Sequence, residues 1–115
     1  MFSLAQLSQP LLLRGDMNDW GTDLAFEAQM DGTHTLTLDL VPGTYGFKIA
    51  TADWAEADLG AVGVSYELVL GESIDIAPSR ELVLLTVKSP GRYDLRLTQP
   101  VGSKVLLFID KGDIE

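Results

Sequence analysis

From His34 to Ala50 the chain runs HTLTLDLVPGTYGFKIA, and the reading of this stretch decides the fold class. Leu36, Leu38 and Leu40 alternate with Thr35, Thr37 and Asp39, a period of two that gives a strand one apolar and one polar face. Val41-Pro42-Gly43 then turns the chain, because proline presets the first turn position and glycine accepts positive φ. Alternation resumes at Thr44 to Ala50, with Tyr45, Phe47 and Ile49 on one face. Gly46, Lys48 and Ala50 share the other, predicted as an outer face that is small except for one lysine.

Working outward, a strand is predicted at Leu11 to Arg14, after Pro10, which offers no ladder donor and suits a strand start. Gly15 to Asp23 is a predicted loop, since Asp16, Asn18, Asp19 and Asp23 can bond their own backbone. Leu24 to Met30 is predicted as a strand that ends in an Asp31-Gly32 hairpin turn. Residues 1–9 are a lead-in or a short edge strand. Downstream, Thr51 to Gly63 lacks a period and is predicted as a loop bearing Trp54. Tyr66 to Leu70 and Ser73 to Ile76 are short apolar pieces about Gly71-Glu72, and Leu82 to Val87 suits a strand covered on both faces. Ser89-Pro90-Gly91 breaks that run, Tyr93, Leu95 and Leu97 alternate in the next, and Pro100 to Ser103 interrupts it. Lys104 to Ile109 is the last predicted strand, followed by a polar tail from Lys111 to Glu115.

Seven or eight short strands spaced by about 8–12 residues, with no helical period, predict an all-β fold. The expected architecture is an immunoglobulin-like antiparallel β-sandwich, formed as a single domain over residues 1–115. The length suits one domain, and a hydrophobic content of 46% supplies a sizeable core. No apolar run approaches the roughly 20 residues that cross a bilayer, so no membrane partner is expected. The opening MFSLAQLSQPLLLRGD lacks the basic start of a signal peptide, and none is expected.

The formal net charge is −9, and it is concentrated: through Asp58 the chain has nine acids against Arg14 and Lys48. Such a front half repels phosphate backbones, which argues against nucleic acid, whereas a neutral sugar meets no such repulsion. The absence of cysteine excludes disulfides, thiolate catalysis and cysteine-ligated metals, and leaves the compartment open.

Sugar rings present apolar C–H faces and hydroxyl rims, so a sugar site needs exposed aromatics and nearby polar groups. Trp20 and Trp54 both stand in polar loops, beside Asn18, Asp19 and Asp53, and Lys48 lies on the strand before Trp54. The plain alternative is that one or both tryptophans cap the core, since Trp is highly buried on average. The spaced set Gly15-Asp16-Met17-Asn18-Asp19-Trp20, Tyr45-Gly46-Phe47-Lys48, Asp53-Trp54 and Leu59-Gly60-Ala61 resembles the starch- and glycogen-binding modules of pullulanases and isoamylases. The likeness spans residues 11–61, about half the chain. It implies an immunoglobulin-like early-set sandwich that binds α-glucan without catalysis, serving a tethered or separate amylolytic domain. On this resemblance Trp20, Lys48 and Trp54 form the glucan platform, with Asn18 and Asp53 as peripheral hydrogen-bonding groups. Asp58 stands where related modules often carry an asparagine, which puts its contribution in doubt. The compartment would be extracellular or periplasmic in a secreted enzyme and cytoplasmic otherwise.

Other chemistries have little support. Asp16 to Glu27 imitates a calcium-binding EF-hand loop, but Trp20 occupies a ligand position and no flanking helices are predicted. A looser calcium contact by Asp16, Asp19 or Asp23 stays open, beside the plainer role of bracing the loop. His34 is a lone histidine near a strand start, and any pair among 17 acids is uninformative as a glycosidase dyad. Gly63-Val64-Ser65-Tyr66-Glu67 lacks the closing glycine of a nucleophile elbow, and no cofactor loop occurs. The expectation is therefore a non-enzyme without cofactor or metal. The alternative is a structural or protein-interaction sandwich with no sugar binding, using Val105 to Ile109 as an uncovered strand edge.

Overall fold

A computed structural model of the chain describes Leu4 and residues 7–62, 66–101 and 104–111. Parts of the predicted lead-in, the end of the predicted Trp54 loop, Gly102 and Ser103 of the predicted interruption and most of the predicted polar tail lie outside the described residues. Among the described residues ten strands are formed: β1 (Leu12–Gly15), β2 (Glu27–Ala28), β3 (His34–Leu40), β4 (Gly43–Ala50), β5 (Asp58–Ala61), β6 (Tyr66–Glu67), β7 (Ser73–Pro78), β8 (Val83–Val87), β9 (Gly91–Val101) and β10 (Lys104–Lys111). Hydrogen bonds link them into one curled sheet of order β2-β3-β9-β10-β7-β5-β4-β8-β6, with β1 added against β4. All pairs are antiparallel except β6 with β8, so the all-β class holds.

The alternating sequences become rows of core side chains. Leu95 faces Leu36 on one side and Ile109 on the other, and Leu107 faces Leu97 and Ile74. Each of these residues is at most 9% exposed. Because β10 is paired with β9 and β7, and Val105, Leu107 and Ile109 are buried, Val105 to Ile109 is an interior strand rather than a free edge.

Several expectations are corrected. Leu82 to Val87 is not covered on both faces, since Thr86 is exposed and Val83, Leu85 and Val87 alternate as buried positions. The opposite error holds for β4, where Gly46 through Ala50 are all buried, so the small outer face is covered rather than open to solvent. The Leu24–Met30 strand shrinks to Glu27–Ala28 and one bridge from Leu12 to Ala25. Pro100 does not interrupt β9, which runs on to Val101. A strand, β5, lies within the predicted Thr51–Gly63 loop.

β4 is the hub of the candidate site. Phe47 pairs with both Gly15 and Val83, and Ile49 with both Leu13 and Leu59, so β1 holds one edge while the other passes from β8 to β5. Partners directly opposite share a sheet face, which sets Arg14 beside Lys48 and Asp58 beside Ala50 on one face. Gly60 must lack a side chain, because a Cβ there would collide with the carbonyl oxygen of Glu81.

Candidate functional site: two tryptophans over a buried arginine

The loop after β1 begins with a 3-10 turn at Asp16–Asn18. Asn18 builds it: its Oδ1 accepts from the Gly15 N–H at 3.0 Å, and its Nδ2 donates to the Leu13 carbonyl and to Asp23 Oδ1, both at 3.0 Å. Asp16 Oδ2 accepts from the Gly46 N–H at 2.9 Å and fastens the turn to β4. Asp19 and Trp20 then take left-handed backbone conformations, with φ of 54° and 59°. For L-residues that region costs roughly 1–2 kcal/mol each, so the surrounding bonds must hold it. The Trp20 N–H donates to the Gly15 carbonyl at 2.9 Å.

The loop after β4 is built around Asp53. Its Oδ1 accepts from the Thr51 hydroxyl at 2.8 Å and from the N–H groups of Ala55 and Glu56 at 2.9 and 3.3 Å. Its Oδ2 accepts from Gln9 Nε2 at 2.9 Å. The Ala55 amide, then Gln9, Thr51 and the Glu56 amide, all favour the carboxylate and hold its pKa far below the ordinary 3.8. Trp54 follows with φ of 60°, again left-handed.

These loops bring the two indoles together. The ring centroids are 6.3 Å apart and the planes are inclined by 36°. Trp20 is half-buried and Trp54 is 37% exposed, so neither is a core residue. The Lys48 ammonium lies 6.0 Å from the Trp54 ring centroid and forms an ion pair with Asp58 at 2.5 Å. The Lys48 side chain is buried, and the Asp58 side chain is partly exposed with its Oδ1 buried against the ammonium. Trp20, Lys48 and Trp54 are thus brought to one place. Asn18 and Asp53 flank it with their polar atoms committed to the loops, and both N–H donors of Asn18 are in use.

Sequence reasoning missed Arg14 as a member of this cluster. Its guanidinium carbon stands 4.2 Å from the Trp54 ring centroid, and the residue is only 9% exposed. The available signal was a single charge closing the apolar run Leu11-Leu12-Leu13, a place where a solvated side chain is not expected. Asp58 was noted for its position, but its pairing with Lys48 depends on the β4–β5 register, which required the unpredicted strand.

Elsewhere, a cleft of about 520 Å³ is lined by Leu4, Leu7, Phe26 and His34 among others and contains neither tryptophan. Among the described residues no three or more His, Asp or Glu side chains gather in a metal-holding group. Asp16 and Asp23 brace the loop, as the plainer expectation had it.

No family model matches the chain, and no curated protein matches it in sequence. In fold it is similar to the ligand-induced structure of AmyP-SBD, a starch-binding domain. The match covers 91% of this chain and 73% of that one, with a TM-score of 0.67 and 18% sequence identity. At that identity the likeness is one of fold.

Proposed function

We propose that residues 1–115 form one immunoglobulin-like β-sandwich domain that binds α-glucan without catalysis, in the manner of starch- and glycogen-binding modules associated with pullulanases. The observation that carries this reading is the tilted, partly exposed pair of indoles at 6.3 Å, contributed by two loops far apart in sequence. Two planes inclined at 36° suit successive sugar rings of a curved chain better than those of a flat one. Trp20 and Trp54 stack on glucose rings, and Lys48, which keeps donors beyond the one given to Asp58, bonds a hydroxyl at the rim. Asn18 and Asp53 act mainly by shaping the loops, with their remaining lone pairs at the periphery of the ligand. The fold likeness to a starch-binding domain supports the same choice of ligand.

Such a module raises the local concentration of polysaccharide around an amylolytic catalytic domain, an effect that needs a tether or a stable partner. The rival reading, an interaction domain, no longer has Val105 to Ile109 as its edge. Calorimetric titration with maltoheptaose and β-cyclodextrin tests the proposal. Saturable binding is expected, with Trp20→Ala and Trp54→Ala each weakening it about tenfold or more, equivalent to about 1.4 kcal/mol. A folded wild-type protein that gives no heat at millimolar sugar removes the α-glucan reading.

A further inference from the structure

We propose that Arg14 is the positioning residue of this platform, setting the spacing and tilt of Trp20 and Trp54 through one planar group. The inference rests on the α-glucan reading only for its effect on affinity. Its geometric part stands alone.

The Nε and Nη2 atoms of Arg14 donate to the Trp20 carbonyl at 3.1 and 2.8 Å. Its Nη1 donates to the Ala52 carbonyl at 2.9 Å and to that of Thr51 at 3.4 Å. The Thr51 carbonyl also accepts the Trp54 N–H at 3.1 Å, so the guanidinium grips the turn that carries the second indole. Its guanidinium carbon also lies over the Trp54 ring, 4.2 Å from the centroid. One side chain therefore touches the backbone of the first tryptophan, the turn of the second and the ring of the second.

This matters because both tryptophans hold left-handed conformations that their own sequence does not favour. A loop in such a conformation needs external bonds, and Arg14 supplies them to both loops at once. A cation this buried whose partners are carbonyl oxygens and a ring face is spent on geometry. The guanidinium fork is rigid and stacks flat, whereas a lysine is a single point charge that cannot span these carbonyls or lie face to face with an indole.

The test compares the wild type with Arg14→Lys, which keeps the charge, and Arg14→Gln, which removes it. Folding is followed by thermal melting, and the indole pair by its exciton couplet in far-ultraviolet circular dichroism, with Trp20→Phe and Trp54→Phe marking its absence. Both Arg14 variants are expected to fold, to lose most of the couplet, and to bind maltoheptaose at least tenfold more weakly, the lysine included. An Arg14→Lys protein that keeps the couplet and its affinity overturns the positioning role. A wild type that binds no glucan, with a couplet that still collapses in Arg14→Lys, removes the sugar reading and leaves the positioning role standing. Should neither variant fold, the wild type decides by side-chain NMR. A slowly exchanging Arg14 Nε–H with ring-shifted neighbouring protons supports the proposal, and ordinary shifts with fast exchange overturn it.

Discussion

Across β3, β9, β10 and β7 the buried positions fall at every second residue: Leu36, Leu38 and Leu40, then Tyr93, Leu95 and Leu97, then Val105, Leu107 and Ile109, then Ile74 and Ile76. At the other end, burial runs through consecutive residues, from Leu11 to Gly15, from Gly46 to Thr51 and from Leu59 to Ala61. The first region has one covered face and is held by its ladder and its apolar rows. The second is covered on both faces, and its outer cover is two loops whose shape depends on individual side-chain-to-backbone bonds. Both regions contribute buried apolar side chains, but the loop shapes that set the geometry of the site belong to the second alone.

The sharpest way to break that division is Leu107→Ala. Leu107 is fully buried between Leu97 and Ile74, and truncation leaves a cavity that costs about 2–5 kcal/mol. Urea denaturation should show a large fall in midpoint, while the protein that remains folded keeps its Trp20–Trp54 couplet and its sugar affinity. If affinity fell as steeply as stability, the two regions would be one cooperative structure and the comparison would fail.

The next effect belongs to the loop end. Asp53 is held ionised by the Ala55 amide, Gln9, Thr51 and the Glu56 amide, which lowers its folded pKa from the ordinary 3.8. A carboxylate with a depressed folded pKa contributes stability that is complete above its unfolded value and is lost as pH falls below 3.8. Asp53→Asn should lower the melting temperature at pH 7 and flatten the acid limb of the melting curve below pH 3.8. It should also weaken glucan binding, because the Trp54 turn loses its brace. An unchanged acid limb would show that these bonds do not hold the loop in solution.

How much of this was legible follows the same division. The His34–Leu40 strand was readable to its last residue, because one-sided burial writes a period of two into the sequence. Trp20, Lys48 and Trp54 were grouped through the resemblance to glucan-binding modules, and the structure brings their side chains near one another. β5 was not readable, since Asp58-Leu59-Gly60-Ala61 has no alternation, and its glycine is explained only by the Glu81 carbonyl packed over it. Arg14 was hidden for a related reason: its partners are backbone carbonyls, and no residue type announces those.

The smallest effect lies at the rim of the ladder. His34 starts β3, opposite Leu97 on one side and Ala28 on the other, and its Nδ1 has no hydrogen-bond partner. Burial disfavours the imidazolium and lowers the folded pKa below the ordinary 6.5, against a weaker opposing hydrogen bond with the Gly32 backbone. The unfolded chain then takes up this proton first, so the contribution is whole above pH 6.5 and declines as pH falls below it. An NMR titration should place the His34 midpoint below 6.5, and His34→Gln should remove a shallow slope of stability with pH in that range. The couplet and the sugar affinity should not respond, since His34 belongs to the ladder and lines the cleft that holds neither tryptophan. A midpoint at or above 6.5 would mean that this end of the ladder is open to water, and would move the boundary between the two regions inward along β3.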